Sequence, residues 1–132
     1  MAILYIEDNP QNIRLVRKML SVGGYRMQEA FDGISGVQMA HEAMPELILL
    51  DINLPDIDGL EATRRLKHDP HTQHIPIIAL TTNVVSGDRE HFLEAGCDGY
   101  LAKPIGKNEL LSTVARFIVH RPDQQTGTDV TA

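Results

Sequence analysis

The sequence predicts an α/β domain in which a five-stranded parallel sheet is covered by helices on both faces. Three observations carry this. Short apolar runs alternate along the chain with longer segments whose apolar residues recur at helical spacing. One of the short runs, Leu47-Ile48-Leu49-Leu50, is apolar throughout, as a strand buried on both faces requires and a half-wet strand does not. The boundaries between runs are marked by Gly, Pro, Asn and Asp, the residues that stop helices and make turns. With 132 residues the chain is one domain long and can bury a core without staples.

Residues 3–6 form the first strand and end on Glu7-Asp8. Asn9-Pro10 then reads as a helix cap followed by proline at the first helical position. Ile13, Val16 and Leu20 make the buried stripe of this helix, and Gly23-Gly24 ends it. Residues 26–30 can form a second strand, more polar and therefore suited to a sheet edge. Asp32-Gly33 reads as a turn, and a second helix over 36–43 closes at Pro45. The central strand 47–51 ends on a carboxylate and runs into Ile52-Asn53-Leu54-Pro55-Asp56-Ile57-Asp58-Gly59, followed by a third helix over 60–67. A polar loop over 69–74 leads to a fourth apolar strand at 75–80, which ends on Thr81-Thr82-Asn83. Ser86 is placed as the cap of a fourth helix over 89–95 ending at Gly96. The fifth strand, 99–102, ends on Lys103-Pro104, and an amphipathic helix over 108–119 carries Leu110, Leu111, Val114 and Ile118. Residues 121–132 are polar and read as a flexible tail.

Composition narrows the function classes. The net charge is −6 and no basic run is present to neutralise phosphates, which argues against nucleic-acid binding. The single Cys97 excludes an internal disulfide or a multi-cysteine zinc site and fits a reducing cytoplasm. No apolar run approaches the roughly 18 residues that span a bilayer, and Met1 to Ile6 lack the basic start of a signal peptide.

If the sheet is parallel, four strand ends meet on one rim and bring Glu7-Asp8, Asp51, Thr81 and Lys103 together. Ligands of open α/β sheets bind at that edge. Three carboxylates there would repel one another unless a cation neutralised them. Oxygen ligands without His or Cys favour Mg²⁺. A lysine and a hydroxyl aimed at the same point suit phosphoryl oxygens, so the permitted chemistry is phosphoryl transfer onto the Asp51 carboxylate.

These residues resemble the receiver domain of two-component response regulators over about residues 2–120. The acidic pair, the D-x-x-x-P-x-x-x-G run of Asp51, Pro55 and Gly59, then Thr81 and Lys103-Pro104 stand in the family's order and spacing. The resemblance implies a receiver domain at 1–120 with the flavodoxin-like (βα)5 fold and strand order 2-1-3-4-5. It implies Asp51 as phosphoacceptor, Asp8 and Asp51 as Mg²⁺ ligands with the Asn53 main-chain carbonyl, and Glu7 acting through a water; Mn²⁺ can substitute. Lys103, presented by a cis peptide before Pro104, would pair with the phosphoryl oxygens. Thr81 would hydrogen-bond the group and Tyr100 would follow it as the switch aromatic, with a small rearrangement of the fourth helix and fifth strand. The donor would be a phosphohistidine on a histidine kinase or histidine phosphotransfer protein. The expected product is a cytoplasmic, monomeric or weakly dimeric phosphoprotein of a phosphorelay that switches interactions with a downstream protein, without nucleic acid or membrane. It would catalyse only its own phosphorylation and dephosphorylation. A single-domain regulator is the leading arrangement; a receiver excised from a hybrid kinase is the alternative.

Some features go beyond the motif. Leu54 stands where methionine is common, a nearly volume-conserving change, and Thr82 replaces the commoner alanine beside the phosphoryl site. Asn53 and Asn83 flank the expected path of an attacking water and are assigned to tuning hydrolysis. Leu15 points away from the buried stripe with Gln11, Arg14 and Lys18, and Leu15, Arg14 and Lys18 are candidates for docking the phosphodonor. His68, His71 and His74 read as solvated loop residues. A haloacid-dehalogenase-like phosphatase would need a second Asp where Asn53 stands. A flavodoxin-type electron carrier would need a glycine- and hydroxyl-rich loop where Glu7-Asp8-Asn9-Pro10 stands.

Overall fold

The computed structural model describes residues 2–82 and 86–118, with the backbone alone at 86–89. The expected tail and Asn83 lie outside the described residues. In chain order the elements are β1 (Ala2–Ile6), α1 (Pro10–Val22), β2 (Arg26–Ala30), α2 (Gly33–Ala43), β3 (Leu47–Asp51), α3 (Gly59–His68), β4 (Ile77–Thr81), α4 (Ser86–Ala95), β5 (Gly99–Ala102) and α5 (Lys107–Ile118). The five strands form one sheet in the order β2-β1-β3-β4-β5, and every pairing is parallel. The polar strand β2 is an edge, as its composition predicts.

Strand alternation divides the core into two layers. Ile3, Tyr5, Leu47, Leu49, Ile78 and Leu80 face α1 and α5, meeting Ile13, Val16, Leu20, Leu110 and Val114. Leu4, Ile6, Ile48, Leu50, Ile77 and Ala79 face the other way, onto Ala40 of α2, Ala62 and Leu66 of α3 and Phe92 of α4. All five residues of β3 are buried, and each of its four apolar side chains contributes roughly 1.5–3 kcal/mol by leaving water. The strand that ends on Asp51 is thereby firmly held, as is β4 beside it, whose five residues are also all buried.

Several boundaries differ from the sequence reading, most of them by one residue. Helix α2 begins at Gly33, not 36, because Asp32 is its cap and accepts from Ser35 N at 2.8 Å. Asp56, 22 or more residues away in sequence, accepts the Gly33 and Ile34 amides at 2.7 and 2.8 Å; a cap from a distant loop leaves no local signal. Strand β4 starts at Ile77 because Pro76 cannot donate to a ladder. Its carbonyl accepts from Ile48 N at 2.9 Å, and Asp98 takes the Ile77 amide at 2.8 Å. Ser86 is the first residue of α4, not a residue before it. Helix α5 starts at Lys107, one residue earlier than predicted.

The loop between Asp51 and α3 folds back tightly. Gly59 N donates to Ile52 O at 2.8 Å, and Asp58 caps α3 by accepting from Glu61 N at 2.8 Å. A Cβ on Gly59 would lie 2.6 Å from the Asp51 carbonyl oxygen and 2.7 Å from Ile52 Cα. Only glycine lets the helix start this close to the end of β3.

Candidate functional site

Parallel pairing places the strand ends side by side. Ile6 pairs with Leu50, Asp51 with Leu80 and Thr81 with Ala102. The residues just beyond, Glu7, Asp8 and Lys103, therefore surround Asp51 on one rim. An open cleft there is lined by Glu7, Asp8, Asn9, Pro10, Asn12, Asp51 and Lys103.

Asp51 is 3% exposed and Glu7 1% exposed. Lys103 Nζ lies 3.1 Å from Asp51 Oδ1 and 3.1 Å from Glu7 Oε1, so one ammonium bridges two buried carboxylates. Lys103 is joined to Pro104 by a cis peptide, as expected. The Asn53 amide donates to Asp51 Oδ1 at 3.2 Å. Glu7 also accepts from the Tyr5 hydroxyl at 2.9 Å, from Asn9 N at 3.2 Å and from Asn12 Nδ2 at 3.4 Å.

The electrostatics separate the two buried acids. Burial, then the neighbouring Glu7 charge, push the Asp51 carboxyl above its ordinary range, and Lys103 only partly offsets them. Burial would also raise Glu7, but the hydrogen bonds from Lys103, Tyr5 and Asn9 outweigh it and hold Glu7 below its usual range. Lys103 is desolvated, which opposes its charge, yet Asp51 and Glu7 together raise it above the ordinary lysine value. Tyr5 is pushed far upward by burial first and by Glu7 next, so its hydroxyl keeps its proton.

Glu7, Asp8 and Asp51 each offer an oxygen within 4.8 Å of the others. Three carboxylates against one lysine leave the rim two charges negative. Among the described residues this is the one group of three or more acid, His or Cys side chains so arranged. The donor set is all oxygen, with Asp8 exposed and the other two buried, which fits a hard cation such as Mg²⁺ that keeps part of its water.

The remaining candidates divide into two further places. Thr81, buried at the end of β4, lines a second groove with Asn53, Ile52, Leu60, Thr82, His91 and Phe92. Thr82 is exposed on that groove. Tyr100 is half-buried on β5, its ring 6.0 Å from that of Phe92 on α4. On α1, Leu15 is 47% exposed and shares a shallow groove with Arg14, Arg17, Lys18 and Ser21. Arg17 is paired with Glu29. Leu15 also borders a cavity of about 60 Å³ that reaches Tyr5, Lys103, Pro104 and Ile105. His41 and Asp69 form an exposed pair at 3.0 Å, with the His71 ring 4.5 Å from His41, away from the rim.

The sequence reading missed two members of the rim. Tyr5 was read only as a strand former, although a tyrosine within an apolar buried strand, two residues before an acid on the same face, is a signal for a hydrogen bond. Asn12 carries no such signal; only the packing of α1 brings it to Glu7.

A parallel sheet in 2-1-3-4-5 order with an acidic rim and a bridging lysine defines a phosphoacceptor signalling domain of the flavodoxin-like class. The family model for the response regulator receiver domain matches residues 3–115, and the chain belongs to that family. Among similar proteins is the polar-differentiation response regulator DivK of Brucella anthropi, 36% identical over 117 residues, covering 89% of this chain and 95% of DivK. The receiver domain of the sensor histidine kinase PA1611 from Pseudomonas aeruginosa, solved with a magnesium ion coordinated in its active-site cleft, is 42% identical. Its TM-score is 0.83, covering 89% of this chain and 97% of that one. The chemotaxis response regulator CheY4 of Vibrio cholerae has a TM-score of 0.83 at 27% identity, covering 88% of this chain and 97% of that one. Among the described residues no helix is long and apolar enough to cross a membrane.

Proposed function

We propose that this receiver accepts a phosphoryl group on Asp51 from a phosphohistidine of a histidine kinase or phosphotransfer protein, and that the acyl phosphate switches binding to a downstream protein. The observation that carries this is the Asp51 carboxylate at the end of a fully buried strand, bridged to Lys103 at 3.1 Å and flanked by Glu7 and Asp8. In the transfer, Asp51 Oδ attacks phosphorus, a P–O bond forms, and the P–N bond to the donor imidazole breaks with the electron pair returning to the imidazole. Asp8, Asp51 and the Asn53 carbonyl would hold Mg²⁺, or Mn²⁺ in its place, with Glu7 acting through a water. When bound, the cation neutralises charge on the acceptor and on the transferring group. Lys103 exchanges its carboxylate partners for a phosphoryl oxygen, and Thr81 donates its hydroxyl to another. Asn53 and Asn83 set access for the water that later hydrolyses the acyl phosphate.

The output follows from the second groove. Movement of Thr81 toward the phosphoryl group alters the groove that Phe92 shares with it, and Tyr100 packs beside Phe92. The α4–β5 face is therefore the surface that reports phosphorylation. On the opposite layer Leu15, with Arg14 and Lys18, docks the donor beside the rim. The domain spans 1–120 and acts in the cytoplasm as a monomer or weak dimer, turning over no external substrate. A free regulator like DivK is the leading arrangement; the 42% identity to a receiver of a sensor histidine kinase favours a hybrid-kinase setting as the second reading.

The test is incubation of wild type and Asp51→Ala with a small phosphodonor, with and without Mg²⁺, followed by intact-mass spectrometry. A Mg²⁺-dependent phosphoryl adduct is expected in wild type alone. Absence of that adduct in wild type overturns the reading.

A further inference from the structure

One buried group on the rim has no part in the phosphoryl chemistry just described. The Tyr5 phenol is fully buried, packed in the layer that also holds Ile13, Val16 and Leu49. A buried hydroxyl needs a partner, and its partner is Glu7 Oε1 at 2.9 Å. We propose that Tyr5 is a positioning residue for the cation site: its hydroxyl holds Glu7 Oε1, so that Glu7 keeps its orientation when Lys103 moves to a phosphoryl oxygen. This rests on the reading of Glu7, Asp8 and Asp51 as a cation site.

The donors on Glu7 are unevenly shared between its two oxygens. Oε1 accepts from Tyr5 at 2.9 Å and Lys103 at 3.1 Å, with Asn12 more distant at 3.4 Å. Oε2 accepts from the Asn9 amide at 3.2 Å. Each carboxylate oxygen has about two lone pairs. Oε1 is thus filled by Tyr5 and Lys103, and Oε2 is the oxygen with capacity left for a cation or its water.

The two strong donors on Oε1 differ in how firmly they are held. Lys103 sits on a long flexible stem, is 16% exposed and is shared with Asp51. Phosphoryl transfer draws its charge toward the new oxygens. The Tyr5 ring has two torsions and is enclosed by core side chains, so its hydroxyl stays in place. Without it, departure of Lys103 leaves Oε1 only the 3.4 Å contact from Asn12, and the carboxylate is free to turn.

The test is calorimetric Mg²⁺ titration of wild type and of four proteins that carry Lys103→Met, which takes the lysine off Oε1 as phosphorylation does: Lys103→Met alone, and with Tyr5→Phe, with Glu7→Gln, or with both. Phenylalanine keeps the ring, so packing is preserved and a thermal melt checks the fold. Loss of a group that orients a metal ligand weakens metal binding by about tenfold or more. With Lys103→Met present, Tyr5→Phe is expected to raise the Mg²⁺ Kd about tenfold, with no such effect when Glu7→Gln is also present. Equal Mg²⁺ affinity with and without Tyr5→Phe in the Lys103→Met protein overturns the inference, as does the same loss whether residue 7 is Glu or Gln, since that marks a packing role. Wild type that binds no Mg²⁺ overturns the cation-site reading itself and the inference with it. Should Tyr5→Phe fail to fold, wild type carrying ¹³C at tyrosine Cζ takes its place. The Tyr5 resonance must then shift with the calorimetric midpoint, and a resonance that Mg²⁺ leaves unmoved overturns the inference.

Discussion

Lys103 Nζ is equidistant, at 3.1 Å, from Glu7 Oε1 and Asp51 Oδ1. Both acids are buried, so this single ammonium compensates two carboxylates that are largely withdrawn from solvent. Removing one member of a buried ionic cluster costs on the order of 3–5 kcal/mol because the others stay uncompensated. Lys103→Met is expected to lower stability by about that much in urea unfolding. Added Mg²⁺ should restore part of the loss. A variant as stable as wild type without Mg²⁺ would show that the bridge is not needed.

Asp51→Asn is expected to be more stable than wild type by about 1 kcal/mol at neutral pH, because it removes a carboxylate whose charge is disfavoured by burial and by Glu7. The sign follows from linkage. A raised pKa in the folded state means that the folded protein holds the proton more tightly, so wild-type stability falls as pH rises through the folded Asp51 value. The advantage of Asp51→Asn should therefore be near zero below about pH 3.9, the ordinary Asp value. It should grow above that and level off past the raised value. Chemical denaturation in metal-free buffer from acid to neutral pH measures it; an advantage independent of pH contradicts the assignment.

Gly59→Ala forces a Cβ against main-chain atoms of Asp51 and Ile52, at 2.6 and 2.7 Å, and backbone cannot swing aside as a side chain can. A cost of about 1–3 kcal/mol is expected, with weaker Mg²⁺ binding because the loop carrying Asn53 shifts. Gly106→Ala is the control: nothing lies within 4 Å of its added Cβ, and its thermal midpoint should match wild type.

Leu15→Asp should leave the fold intact, since the side chain is 47% exposed. Phosphotransfer from the cognate protein donor is expected to fall about tenfold in kcat/KM, the effect of losing one apolar interface contact worth more than 1 kcal/mol. Phosphorylation by a small phosphodonor should be unchanged. Parallel kinetics with the two donors separate docking from chemistry.

Much of the rim was legible because strand ends are punctuated. Asp51, Thr81 and Lys103 each follow a run of apolar residues, and in a parallel sheet such positions share an edge. Asp8 and Glu7 followed from the same rule. Boundaries were less legible where the partner is remote: Asp56 starts α2 through the Gly33 and Ile34 amides, and no local pattern announces that. That Thr81 also opens onto the groove of Phe92 likewise depends on how α3 and α4 pack.

By itself the sequence determined the element order, the polar edge strand and the set of groups available for chemistry, because apolar periodicity and turn residues are local properties of the chain. The tertiary structure alone decided how those groups share one another. It set Lys103 between two acids, turned Tyr5 onto Glu7 Oε1 and left Glu7 below and Asp51 above the ordinary carboxylate range. Those outcomes depend on burial and on distances of about 3 Å between residues as far apart as Glu7 and Lys103. No spacing along the chain encodes such distances, because they arise only when two layers of helices close on the sheet.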